Sequence, residues 1–278
     1  MAKMKIQISK DDFEQSILAA TSSHSEVFES VEPHFKESYL RLSQQILGEV
    51  GEAALETSDD LREAVIKAVC LDAFLGVVRH LDLVLTPTGF GVVANNEVTP
   101  ASSSRVEALI EQCRIALIVA QDTVMSHLTV VSGWGSTLQA QQGIQTVVWS
   151  MEGYCYLTRQ TSMTSKDWMS KLAAMQEADA TLRKLVSDEQ MDDIMCLVRG
   201  VRESNEFEGC VRLMLSRSLI MLANDMLSAY SNERARLLRY FDAHLDNFPI
   251  YADSSAYKAN HFKEFNNEKS KPAFVFNA

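Results

Sequence analysis

Apolar residues recur every three or four positions along most of this chain, the spacing that lines one face of an α-helix. Ile8 and Phe13 flank Ser9 and Asp12 in a capping-box and hydrophobic-staple arrangement, which predicts a first helix from Lys10 to Ala20. Ser22, Ser23, His24 and Ser25 break it. A second helix follows, with Phe28, Val31, Phe35, Tyr39, Leu42, Ile46 and Leu47 on one side and Pro33 expected in its first turn. Gly48 and Gly51 weaken its end, and Thr57, Ser58, Asp59 and Asp60 supply the next N-terminus. From Leu61 to Leu83 apolar residues occupy more than one side, the pattern of a central, buried helix. Ser104 and Glu107 read as a capping box opening a long helix through Leu128, ended by Gly133-Trp134-Gly135-Ser136. The periodicity returns at Ser165, continues past a Ser187/Gln190 cap, and fills a last helix predicted from Glu206 to Leu245.

Three stretches interrupt the pattern. Thr86-Pro87-Thr88-Gly89 carries turn residues, the run from Phe90 through Val92 and Val93 is β-prone, and Asn95-Asn96 is a second turn signal, so 84–100 reads as a β-hairpin-like arm. Residues 137–164 fit either a helix or a strand with aromatic anchors. From Pro249 the helical pattern stops, and 248–278 reads as an extended tail ending in Phe274-Val275-Phe276. The fold class is therefore mainly α: a helical bundle with a hairpin-like arm and an extended C-terminal tail. Its organisation is an N-terminal helical half (1–136, with the arm at 85–102), a connecting segment (137–164), a C-terminal helical half (165–247) and the tail (248–278). The halves resemble each other weakly, as a diverged duplication would.

Composition narrows the function classes. At 278 residues and 46% hydrophobic, the chain can build a substantial core. No apolar run reaches the roughly 18 residues of a membrane span, and the N-terminal fifteen residues turn acidic before a signal-like stretch forms, so the protein is expected to stay in the compartment where it is made. A net charge of −11 argues against gripping nucleic acid through its phosphates. Cys70, Cys113, Cys155, Cys196 and Cys210 stand singly and are expected to be reduced and buried.

A search for chemistry returns no catalytic constellation. Acidic pairs at 11–12 and 59–60 and the run at 187–193 fall at helix starts, where the helix dipole favours negative charge. The six histidines have no metal-ligand spacing, and His80 and His127 are expected at the core or its boundary. Gly89-Phe90-Gly91 is too short for a dinucleotide fingerprint and follows a helix rather than a strand. Arg234, Arg236 and Arg239 read as a solvated face. No metal, no cofactor and no enzymatic activity are expected.

The arm at Thr86-Pro87-Thr88-Gly89-Phe90-Gly91-Val92, the following Pro100-Ala101-Ser102, the segment from Asn247 to Tyr251 and the Phe274-Val275-Phe276 end, set between two helical halves, resemble the head-tail adaptors (connectors) of the neck in tailed phages and prophages of gut anaerobes. That resemblance implies a mainly helical virion protein, assembled in the host cytoplasm. It implies homo-oligomeric rings, commonly of twelve subunits, seated between the portal and neighbouring neck or tail proteins, with DNA passing through unbound and no membrane contact. Gly89, Phe90, Gly91, Val92, Val93, Pro249, Tyr251, Phe274, Val275 and Phe276 are then the expected assembly contacts. The other reading is an all-α intracellular interaction module without catalytic activity.

Overall fold

The computed structural model describes residues 4–17, 25–81, 83–86, 89–92 and 102–262. The chain is mainly helical. Helices α1 (Lys10–Ser16), α2 (Ser25–Leu42), α3 (Gly48–Ala54), α4 (Asp59–Val77) and α5 (Ser103–Leu128) build the N-terminal half, and a π-helical turn at Ser43–Leu47 joins α2 to α3. Then come α6 (Leu138–Gly143), α7 (Met151–Thr158), α8 (Ser165–Val186), α9 (Asp188–Val198), α10 (Glu206–Ala223), α11 (Leu227–Ala243), α12 (Pro249–Asp253) and α13 (Ser255–Asn260). Between α4 and α5, strands β1 (Leu83–Thr86) and β2 (Gly89–Val92) pair antiparallel, with Leu83 opposite Val92 and Thr86 opposite Gly89. Residues 93–101, where the expected arm continues, lie outside the described residues.

Several helix starts follow their caps. The Ser9 hydroxyl accepts from the Asp12 N–H at 3.1 Å while the Asp12 carboxylate accepts from the Ser9 N–H at 2.8 Å, the reciprocal pairing expected there. Ser58, Thr164 and Ser187 cap α4, α8 and α9 with their hydroxyls. The expected box at Ser104 and Glu107 is absent: α5 starts at Ser103, its cap residue Ser102 makes no side-chain capping bond, and the Glu107 carboxylate instead meets Arg79 at 3.0 Å. Pro33 lies inside α2, well past its first turn. It therefore removes a donor from the helix interior.

In the core, α4 packs between α2 and α5, and α10 packs between α8 and α11. Val65, Ala68, Val69, Leu71 and Phe74 are buried on several sides of α4, as its unbroken apolar pattern requires. The buried side chains form one cluster that runs from Ile6 to Tyr251 across both halves. Trp134 joins the π-turn to the end of α5, donating its indole N–H to the Ile46 carbonyl at 2.9 Å with no exposed surface. Beside it two turns interlock. Gly200 sits at φ +73, and a Cβ there would run into the Thr129 carbonyl; a Cβ on Gly135 would meet the Arg199 carbonyl. Only glycine allows that approach.

The connecting segment resolves into helices. Residues 137–164 hold α6 and α7 with short irregular links. The last long helix is two, because Asn224-Asp225-Met226 turns the chain and Asp225 takes φ +56. Apolar periodicity runs across this break, so spacing alone reads it as continuous. The tail is corrected too: Pro249 begins a helix, in the N-terminal position where its missing N–H is harmless, and Ser254 caps α13. Rings of Phe241, Phe248, Tyr251 and Tyr257 stack into this turn at centroid distances of 4.4 to 5.5 Å, fixing α12 and α13 to the body.

Candidate functional site

Where α7 ends beside the α10–α11 corner, the surface opens into a cleft of about 420 Å³ lined by Tyr154, Leu157, Gln160, Arg217, Ile220 and Met221, together with Asn224 and Met226. A second cavity of about 550 Å³ adjoins it through Leu157, Gln160 and Arg217 and adds Arg159 to the wall. Among the described residues neither wall includes a carboxylate, although the chain carries −11, and the exposed Asp225 stands between the lining residues Asn224 and Met226. The acidic side chain nearest in sequence on α7, Glu152, lies in its first turn.

The floor is tightly organised. Asn224 donates to the Tyr154 hydroxyl at 3.1 Å and to the Ile220 carbonyl at 2.7 Å, and its amide oxygen accepts from the Lys171 ammonium at 2.7 Å. The buried Tyr154 ring stands edge-on to Trp168, with centroids 5.9 Å apart. The rim is open by contrast. Tyr156 is 83% exposed and Met226 51%, while Arg159 and Arg217 make no ion pair among the described residues. Both ends of the groove hold a non-glycine residue in left-handed backbone: Arg159 at φ +57 closes α7, and Asp225 at φ +56 turns α10 into α11. Such conformations cost about 1 kcal/mol each and persist where the surroundings hold them.

Behind α7, Asp122 of α5 is buried and accepts the Met151 N–H at 2.8 Å, tying α7 to the core. Burial, reinforced by Glu152, pushes its carboxyl up to about 7 despite that hydrogen bond.

The expected assembly contacts are placed as follows. Gly89, Phe90, Gly91 and Val92 form β2, described by its backbone alone; Val93, Phe274, Val275 and Phe276 lie outside the described residues. Pro249 is exposed. Tyr251 is not a surface contact: it has no exposed area, its N–H donates to the Gln190 amide oxygen at 3.1 Å, and its hydroxyl accepts from Asn260 at 3.2 Å. The resemblance makes it an assembly contact, whereas its burial and its bond to Gln190 make it an anchor of α12 inside the fold. Of the cysteines, Cys70 and Cys113 are buried, Cys155 and Cys196 are half-buried, and Cys210 is exposed, against expectation. Burial raises the Cys70 thiol to about 12 and leaves it inert. His80 is exposed rather than at the core, and His127 is half-buried. Sequence reasoning missed Arg159, Arg217 and Asn224. The available signal was Arg217 set within the apolar run of α10, two turns before an Asn-Asp pair that could turn the chain.

Residues 32–137 match the model of a family of unknown function (DUF6712). This match runs from α2 to the Trp134 turn, well under half of the chain, and excludes the groove. No curated protein and no solved structure matches the chain. Among the described residues no helix is long and apolar enough to cross a membrane, and no group of His, Cys, Asp and Glu side chains is placed to hold a metal ion.

Proposed function

We propose that this protein is a structural subunit that assembles with copies of itself into a ring, and that the ring is a head-tail adaptor of a phage neck, joining the portal to the tail. The observation that carries this reading is the set of large apolar side chains left on separate parts of the surface: Val130 (85% exposed) and Leu138 by the interlocked turns, Tyr156 and Met226 at the groove, and Phe262 where the described chain ends. A ring subunit needs two unlike contact surfaces, one for each neighbour, and exposed apolar groups are where such contacts gain free energy. The acidic balance suits a channel in which DNA slides without condensing on the wall. The paired strands β1 and β2 and the Phe274-Val275-Phe276 end are the segments through which subunits are proposed to interlock by strand addition.

The test replaces Phe90 and Phe276 with Asp, or deletes residues 272–278. The expected outcome is unchanged helical circular dichroism with ring assembly or portal docking lost by electron microscopy. Unchanged assembly would overturn the reading.

A further inference from the structure

The groove between α7 and the α10–α11 corner is apolar and carries two arginines against one exposed carboxylate, Asp225 at its end, and elsewhere the chain carries a surface of the opposite kind. Around α3 and the start of α4, Glu49, Glu56, Asp60 and Glu63 are all exposed and make no ion pair among the described residues. Their neighbours are occupied: Asp59 meets Arg62 at 2.7 Å, and Glu52 accepts from Tyr39 and Ser43. Glu49, Glu52 and Glu56 are spaced to lie along one side of the short helix α3 and the turn that follows it. The acidic run at the start of α9 differs, because Arg183 and Arg202 already reach Asp188, Asp192 and Asp193.

We propose that the groove of one molecule receives the acidic α3–α4 corner of a second copy, with Arg159 and Arg217 facing the unpaired carboxylates and Tyr156 and Met226 covered by the contact. The two surfaces sit on different elements of the same chain, so the contact is head-to-tail. Each copy offers a groove to one neighbour and a corner to the other, and such contacts close into rings when the rotation between subunits permits. This inference rests on the ring reading and supplies one of its contacts. Both surfaces lie within the described residues, so it is separate from the arm and the tail. Unpaired like charges crowded on one corner repel each other, and meeting two guanidinium groups relieves that repulsion while steering the approach.

The experiment is sedimentation velocity on the full chain and three variants, at about 50 mM and about 500 mM salt, conditions that bracket the screening length. The first variant carries Arg159→Glu and Arg217→Glu, the second Glu56→Lys and Glu63→Lys, and the third all four substitutions. Glu56, Glu63 and Arg159 are exposed and Arg217 stands on the groove wall, and circular dichroism checks that each variant folds. Wild type is expected to associate more strongly at low salt. Each two-site variant should lose at least about tenfold in association constant, and the four-site variant should recover much of it. An equimolar mixture of the first two variants should also regain association beyond the dimer, because each contact between unlike variants is charge-complementary while each contact between like variants is not. A wild-type chain that stays monomeric to about 100 µM would overturn the proposal and leave the groove to a different protein. Wild-type assembly that the charge swaps do not weaken would overturn this contact while the ring reading stands.

Discussion

Two corners of the molecule, built from the same materials, end in opposite states. At the Trp134 corner the turns at 128–138 and 199–201 close on each other, the indole N–H is satisfied by the Ile46 carbonyl, Gln139 donates to the Gln44 carbonyl at 3.3 Å, and glycine removes the side chains that would hold the backbones apart. At the α7/α10–α11 corner the floor is equally well bonded through Asn224, yet among the described residues the wall keeps two arginines without ion-pair partners and leaves Tyr156 and Met226 in solvent. A closed corner stabilises the fold of one chain. An open one, held rigid from beneath and left incomplete above, is what a contact surface requires. The two also divide along the family match, which contains Trp134 and excludes the groove.

The largest effect separating them should come from Trp134→Ala, which removes a fully buried ring and strands the Ile46 carbonyl. A loss of about 3–5 kcal/mol is expected in chemical denaturation. Next is Asp122→Asn, which keeps an oxygen to accept the Met151 N–H but cannot ionise. With its carboxyl at about 7 in the folded protein against an ordinary 3.8, Asp122 favours folding fully below about pH 4, and this contribution is lost as pH rises through about 7. The variant should therefore be more stable than wild type above pH 7, by up to about 4 kcal/mol, and should show a flatter stability profile between pH 4 and 7. Urea melts at pH 5 and 8 check both parts. Asn224→Ala, which releases Tyr154 and Lys171 on the groove floor, should cost about 1–2 kcal/mol and loosen the groove without unfolding the chain. Smallest in stability, at under about 0.5 kcal/mol, is the Arg159→Glu and Arg217→Glu pair, whose effect belongs in assembly. If that pair destabilised the fold as much as Trp134→Ala, the contrast between a closed and an open corner would fail.

Much of the helical body was legible because spacing and capping chemistry act locally. The Ser9/Asp12 box, the Ser187 cap and the many-sided burial of α4 follow from neighbours within one or two turns. What escaped depends on contacts distant in sequence or on backbone that side-chain pattern does not report. The break at Asp225 is hidden because Leu222, Met226 and Leu227 continue the apolar rhythm across it. Pro249 ends a pattern when read forwards and begins a helix when the aromatic cluster of Phe241, Phe248 and Tyr251 holds it there. Glu107 looks like a cap and is drawn instead to Arg79, 28 positions away. The groove was illegible for the same reason: Arg159 and Arg217 become neighbours only when α7 is laid beside α10, across the segment whose local pattern fits helix and strand equally.

The most direct measurement is cryo-electron microscopy of the purified full-length protein, alone and with a portal ring. Closed rings of this chain, present by itself or formed on the portal, are the expected result. A monomer or small closed oligomer that ignores the portal would contradict the adaptor reading.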